Sequence, residues 1–112
     1  MGKLTGITID CEDPQRMASF WSLALDGYMA DASHTNLTSE SGPPIHFQKV
    51  PEPKSVKGRV HLDIVSKDSK GDLFRLQRMG AKMVETKEED GKQWTVLLDI
   101  EGNEFCLIDG AA

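Results

Sequence analysis

The sequence predicts an α+β fold built from two βαβββ modules. The predicted elements occur twice in one order, a strand, a helix and then three strands. The two copies also align with each other at offsets of 55 and 60 positions. The aligned pairs are Ile7 with Leu62, Asp13 with Asp68, and His46 with Cys106. Because each copy has its own helix to cover one sheet face, the duplication is not a solenoid repeat.

The composition is that of a single soluble domain. The chain has 112 residues, of which 38% are hydrophobic and 28% are charged. We therefore expect one domain over residues 1–112, with modules at 3–50 and 58–109 and a linker at 51–57. No apolar run is long enough for a membrane span, and the first residues do not form a secretion signal, so we expect a cytoplasmic protein.

The charge balance argues against nucleic acid as a partner. The net charge is −5, and no cluster of lysine or arginine alternates with aromatic residues. The two cysteines, Cys11 and Cys106, are far apart in the sequence, and in a reducing compartment both are expected to be free thiols.

The first module opens with "GITIDC", an alternating strand. Its apolar residues face one way, while Gly6, Thr8 and Asp10 face the other. Asp13 and Pro14 then begin a helix, and Gly27 is expected to end it in a left-handed cap. The apolar stripe of that helix consists of Met17, Phe20, Trp21, Ala24 and Leu25.

Three more strands are predicted before the linker, at residues 28–32, 35–39 and 45–50. In the last of them Ile45 and Phe47 share one face. His46 and Gln48 share the other.

The second module repeats this pattern. A strand over residues 59–65 places His61, Asp63 and Val65 on one face. A helix follows, capped by Asp68 or Ser69 and ended by Gly80, with an apolar stripe. That stripe consists of Leu73, Leu76 and Met79.

The chain closes with three strands. Two are predicted at residues 81–87 and 93–99, and the acidic run over residues 85–90 is interpreted as a solvated hairpin loop. A turn at residues 99–103 leads into the last strand, where Cys106 faces away from the apolar side. The pattern around Trp94 fits either a core residue or a pocket wall.

The uncovered sheet faces are the predicted ligand site. Two such sheets can curl into a cup, and a concave site with a few polar groups binds small ligands. Besides Gly6 and Ile108, the residues predicted to face it are the candidate ligand-binding residues. They are Thr8, Asp10, His46, Gln48, His61, Asp63 and Cys106.

The segments "TIDCEDPQRMASFW", "FQKVPEPK", "RVHLDI" and "DIEGNEFCLI" occur in an order that resembles the vicinal oxygen chelate superfamily. The chain most resembles its small glyoxalase-like and bleomycin-resistance-like proteins, over about residues 4–109. The resemblance implies a glyoxalase/bleomycin-resistance/dioxygenase-like fold. Since chains of this superfamily commonly pair, it also implies a homodimer.

Metal-dependent members of the superfamily place ligands at four positions, which correspond here to Gly6, His46, His61 and Cys106. Only His61 matches well, and neither closing strand has the carboxylate that a hard cation needs. We therefore expect no metal cofactor. The alternative is zinc held by His46, His61 and Cys106, since two imidazoles and a thiolate suit that ion.

Two functions follow from these patterns. The first is metal-free binding of a polar small molecule, as the resemblance to bleomycin-resistance proteins implies. The second is an enzyme of the lyase, isomerase or dioxygenase-like type, with or without zinc. Three roles are open for His61. It could be a neutral imidazole hydrogen-bonded to Asp63, a group that binds a ligand, or a catalytic acid or base. Cys106 would act as a nucleophile only if a neighbour lowers its pKa.

Overall fold

The computed structural model describes residues 1–110, which divide into two compact units, Met1–Pro53 and the chain from Lys54 onward. The boundary falls within the proline-containing segment predicted as a linker. Each unit contains one helix and one four-stranded sheet. The predicted α+β fold with two βαβββ modules is therefore confirmed.

The first unit consists of β1 (Ile7–Cys11), α1 (Pro14–Ala24), β2 (Met29–Ala30), β3 (Asn36–Thr38) and β4 (Ile45–Lys49). Its strand order is β1-β4-β3-β2, with β1 and β4 parallel and the other pairs antiparallel. Strands β2 and β3 are shorter than predicted because Asp31 organises a turn between them. Its carboxylate accepts hydrogen bonds from Ser33 and Asn36, which lower the pKa of Asp31 to about 2.

Helix α1 begins as predicted and ends earlier. The Asp13 carboxylate accepts from the N–H of Arg16, and Pro14 takes the first helical position. Leu25 is already extended, with φ −113° and ψ 114°. The prediction that Gly27 caps the helix is therefore wrong. Gly27, with φ +79°, instead turns the chain towards β2, and the N–H of Tyr28 donates to the Leu25 carbonyl there.

The second unit consists of β5 (Leu62–Ser66), α2 (Ser69–Arg78), β6 (Lys82–Glu89), β7 (Lys92–Leu98) and β8 (Glu104–Asp109). Its strand order is β5-β8-β7-β6, and only β5 and β8 pair in parallel. His61 therefore precedes β5 instead of lying within it.

Helix α2 begins at an Asp68 cap and stops at Gly80, as predicted. Gly80 has φ +108° and donates its N–H to the Gln77 carbonyl, while the N–H of Ala81 donates to the Leu76 carbonyl. These two bonds are those of a Schellman motif, which satisfies carbonyls at the helix end.

The interpretation of residues 85–90 as a loop is wrong. Residues 85–89 lie in β6 and pair with β7, and the turn between the strands is Asp90 and Gly91. Both have positive φ, 52° and 77°, as a two-residue hairpin turn with the sequence Asp-Gly requires. The predicted strand at residues 81–87 is therefore present and extends to Glu89. Every residue of β6 is exposed, so no apolar alternation marks where this edge strand ends.

Each unit packs its apolar sheet face against its own helix. The largest buried side chains in the first unit are Met17, Phe20, Trp21, Leu37, Ile45 and Phe47, and those in the second are Leu76, Leu97, Phe105 and Leu107. The alternation of strand residues leaves the opposite sheet face of each unit uncovered by its helix. Neither of the described helices has the length and hydrophobicity that crossing a membrane requires.

Candidate functional site

The uncovered face of the second sheet carries a compact cluster of His61, Asp63 and Cys106. One ligand atom from each residue lies within 4.8 Å of the others. The His61 Nδ1 atom is 3.3 Å from Asp63 Oδ1 and 4.0 Å from Cys106 Sγ. The side chains of His61 and Asp63 are 50% and 55% exposed, so the cluster is open to a ligand.

Strand pairing places these three residues together. Asp63 in β5 is the register partner of Cys106 in β8, and their side chains therefore share one face of the sheet. His61 lies two positions before Asp63, on the same face. The sequence pattern predicted this face for all three residues, but only the β5–β8 register makes them neighbours.

The Cys106 thiol is held in its protonated form. Burial raises its pKa, and the charge and hydrogen bond of the Asp63 carboxylate raise it further, while Lys87 has a smaller opposing effect. Nucleophilic catalysis needs a thiolate. The arrangement therefore favours Cys106 as a polar contact rather than as a nucleophile.

Apolar residues lie beside the cluster on the uncovered face. The sequence predicted this face for Ile108 and left Trp94 open between core and pocket wall, but it gave no assignment for Val96. Val96 pairs with Cys106, and Trp94 pairs with Ile108, so both residues of β7 lie on the uncovered face. Lys87 of β6 pairs with Trp94 and forms an ion pair with Glu85 at 3.3 Å. The Asp-Gly hairpin turn between β6 and β7 was the signal in the sequence that would have predicted the pairing of Lys87 with Trp94.

A second polar group lies on the uncovered face of the first sheet. It contains all four candidate residues of that module, in two register pairs. The pairs are Thr8 with His46 and Asp10 with Gln48. The Nδ1 atom of His46 is hydrogen-bonded to Oδ1 of Asn36, its register partner in β3. Sequence reasoning missed Asn36, which lies in a strand of only three residues.

Glu104 shares a face of β8 with Cys106, but its carboxylate is already engaged. Oε1 is 2.9 Å from Lys54 Nζ, and Oε2 accepts from the N–H of Gly58 at 3.0 Å. Burial alone would raise the pKa of Glu104, but these partners outweigh it and lower the pKa. Glu104 thus anchors the segment that enters the second unit.

The cluster fits some metals better than others. It offers one imidazole, one carboxylate and one thiol, a mixed set that zinc accepts. Magnesium and manganese favour several oxygen ligands, and the cluster has a single carboxylate. The third member is Asp63, whereas the sequence analysis named His46. Asp63 is the register neighbour of Cys106, and His46 belongs to the first unit, where it contacts Asn36.

Comparisons with known proteins agree with this architecture. The chain is similar to a glyoxalase/bleomycin resistance/dioxygenase family enzyme from Burkholderia phytofirmans PsJN, with 19% identity, a TM-score of 0.75, and coverage of 96% of this chain and 98% of that chain. It is also similar to the fosfomycin resistance protein FosX from Mesorhizobium loti, with 14% identity, a TM-score of 0.74, and coverage of 99% and 94%.

A third similar structure contains ligands. It is a FosX variant from Listeria monocytogenes complexed with Mn(II) and 1S,2S-dihydroxypropylphosphonic acid, with 13% identity, a TM-score of 0.75, and coverage of 99% and 92%. At such low identity these structures establish a shared fold and no shared activity.

No curated protein matches the chain significantly. The family model of the glyoxalase-like domain, however, matches residues 6–108, nearly the whole sequence. This match agrees with the resemblance seen in the sequence motifs and with the two βαβββ modules of the structure. The chain therefore belongs to the glyoxalase-like domain family.

Proposed function

We propose that this protein binds a small polar molecule on the uncovered face of its second sheet and does so without a metal ion. The observation that carries the proposal is the cluster of His61, Asp63 and Cys106, which presents hydrogen-bonding groups on an accessible face. The first unit carries a separate group of candidate contacts on its own uncovered face, namely Thr8, Asp10, His46 and Gln48.

The surroundings of the cluster indicate what kind of ligand fits it. Asp63 provides an acceptor and His61 has two ring nitrogens, so a ligand with both donor and acceptor groups would be satisfied there. Trp94, Val96 and Ile108 add apolar surface on the same face. The best match is a compact molecule with a polar end and an apolar body.

Metal-free binding is supported by the chemistry of the donor set. The cluster offers a single imidazole and a single carboxylate, and its third group is a thiol that must lose a proton before it can hold a metal ion. The FosX complex with 1S,2S-dihydroxypropylphosphonic acid supports the choice of a small polar ligand for this fold, although that complex also contains Mn(II).

The second candidate function is a zinc-dependent enzyme of the lyase, isomerase or dioxygenase-like type. It is favoured by the approach of three ligand atoms to within 4.8 Å. His61, Asp63 and Cys106 would hold the ion and leave a fourth position open. When bound, zinc would supply a Lewis acid or an activated water.

The deciding experiment is a thermal-shift screen of polar small molecules, run with EDTA and again with added zinc. A ligand that binds only the folded protein raises the melting temperature. We expect hits that persist in EDTA, disappear in His61→Asn and remain in His34→Asn. His34 is a matched control, because it has φ +59° and asparagine tolerates that backbone conformation.

Two outcomes would overturn the metal-free proposal. One is a set of hits that requires zinc, together with stoichiometric zinc in the purified protein. In that case the cobalt-substituted protein should show a thiolate charge-transfer band that Cys106→Ser abolishes. The other is a set of hits unaffected by His61→Asn, which would move ligand binding away from the cluster.

A further inference from the structure

The second unit has a cleft of about 410 Å³ on the other side of its sheet, between the start of α2 and the strands β6, β7 and β8. We propose that this cleft is a separate binding site for a small carboxylate with an apolar body. The helix-side cleft, as we call it, is lined by Lys67, Lys70, Leu73, Gln93, Thr95 and Leu107, among others.

The helix-side cleft is distinct from the cluster on the uncovered face. Leu107 lines it, whereas the preceding residue, Cys106, belongs to the cluster, and neighbouring residues of a strand face opposite sides. Thr95 is the register partner of Leu107 and also of Thr86, which places all three on the helix side. Trp94 of β7 lines the cleft as well, so the two sites adjoin at this residue, while the sheet separates the leucines and lysines of the cleft from the cluster.

The size and floor of the helix-side cleft suit a small organic ligand. Its volume lies within the range of about 300–1,000 Å³ that is common for ligand pockets. Leu73 is partly buried and offers apolar surface below the polar rim, while Leu107, which is 2% exposed, forms the floor of the cleft. An aromatic or short aliphatic group would cover this surface.

The charged groups of the cleft favour an anion. Lys67 and Lys70 line it, and neither forms an ion pair with any residue in the 1–110 range. The two carboxylates at the rim already have partners. Asp68 accepts from the N–H of Gly71 and from Arg75.

The other rim carboxylate, Asp109, accepts from the hydroxyl of Ser69 at 3.0 Å and forms no ion pair within residues 1–110. With Asp68 paired to Arg75, two lysines face one unpaired carboxylate, so the charge of the cleft is positive on balance. The groups left for a ligand are therefore mainly donors, namely the two ammonium groups of Lys67 and Lys70 and the amide of Gln93. A carboxylate would be held by charge-assisted hydrogen bonds, while its apolar part rests on the leucines.

The test is a titration with benzoate followed by methyl NMR, with benzylamine and benzyl alcohol as probes of opposite and zero charge. We expect benzoate to shift the methyl signals of Leu73 and Leu107, and to leave Val96 and Ile108 on the opposite face unchanged. Raising the salt concentration should weaken binding, because exposed charges are screened.

The variant for this test is Lys67→Gln combined with Lys70→Gln, and the control is Lys57→Gln, an exposed lysine outside the cleft. We expect the double variant to weaken benzoate binding roughly three- to tenfold, as two exposed ion pairs would allow. The control should bind as the unchanged protein does.

Three results would overturn the proposal. They are equal shifts with benzylamine, shifts confined to Val96 and Ile108, and no shifts at millimolar benzoate. The second result would place the ligand on the uncovered face, in agreement with the proposed function, so the two proposals fail separately.

Discussion

The Sγ atom of Cys106 lies 4.0 Å from Nδ1 of His61, although 45 positions separate the two residues in the sequence. The parallel pairing of β5 with β8 creates this neighbourhood, and Asp63 completes it at 3.3 Å from His61. The cluster therefore depends on the fold of the second unit rather than on any local motif. Its chemical properties can be tested one residue at a time.

The first prediction concerns the reactivity of Cys106. The Asp63 carboxylate raises the pKa of the thiol, so Asp63→Asn should lower that pKa and increase the thiolate fraction at pH 8. We expect faster alkylation of Cys106 by iodoacetamide in EDTA buffer, measured by mass spectrometry across a pH series. Cys11, which is 3% exposed, serves as the internal probe of unfolding.

Lys87→Gln provides the control of opposite sign. Lys87 lowers the pKa of Cys106, so its removal should raise that pKa and slow the same reaction. Equal rates in the two variants and the unchanged protein would show that neither charge acts on the thiol. Faster labelling of Cys11 in either variant would indicate unfolding instead.

The second prediction is a pH-dependent contribution of Ser66. Its hydroxyl donates to Asp72, and this bond, followed by the contacts with Arg75, lowers the pKa of Asp72 from an ordinary value of 3.8. A depressed carboxyl pKa stabilises the fold above the unfolded pKa, and this stability is lost as the pH falls through the folded pKa. Ser66→Ala should therefore destabilise the protein more at pH 7 than at pH 2.

Urea unfolding at both pH values measures this difference, and a carboxyl NMR titration of Asp72 reports its pKa directly. We expect Ser66→Ala to raise the pKa of Asp72 more than Arg75→Gln does, since Ser66 is the larger cause. A loss of unfolding free energy that is the same at pH 7 and pH 2 would assign Ser66 a packing role only.

The sequence predicted the site best where strands alternate cleanly. In β5 and β8 each apolar residue is followed by one that faces away, so the alternation by itself assigns Asp63 and Cys106 to the uncovered face. Helix ends were predictable where the capping residue is decisive, as at Asp68 and Gly80. At both positions the type of the capping residue itself determines where the helix begins or ends.

Two kinds of feature could not be predicted. Strand register is a tertiary property, so the positions of Trp94 and Val96 beside Ile108 and Cys106 required the structure. Strand β6 was predicted over residues 81–87, but it is exposed on both faces, so no apolar periodicity marked its extension to Glu89. Asp63 lies beside Cys106 because β5 pairs with β8, and the zinc hypothesis, which rested on residue type, did not include Asp63.

The third prediction concerns the turn before β8. Asp99 is 4% exposed, and its carboxylate accepts from the backbone N–H groups of Glu101 and Asn103, both at 2.9 Å. Asp99→Ala would leave these donors without that acceptor, at a cost of about 1–3 kcal/mol in unfolding free energy. Asp99→Asn retains one acceptor oxygen and should cost less in the same urea titration. Equal stability of the two variants would contradict this account.

The fourth prediction compares two glycines with positive φ. Gly80 has φ +108°, and an added Cβ would lie 3.0 Å from Cγ2 of Ile100. Gly91 has φ +77°, with no atom within 4 Å of such a Cβ. Gly91→Ala should cost about 1–2 kcal/mol for the backbone conformation alone. Gly80→Ala should cost more, because the contact with Ile100 is added to the backbone strain.

A double-mutant cycle separates the two contributions at Gly80. Ile100→Ala removes the contacting methyl group, so Gly80→Ala should be less damaging in that background than in the unchanged protein. Urea midpoints of the four proteins measure the coupling, and Gly91→Ala in the same two backgrounds should show none. If Gly80→Ala costs the same in both backgrounds, the contact is relieved by movement of Ile100, and backbone strain alone makes glycine necessary at the end of α2.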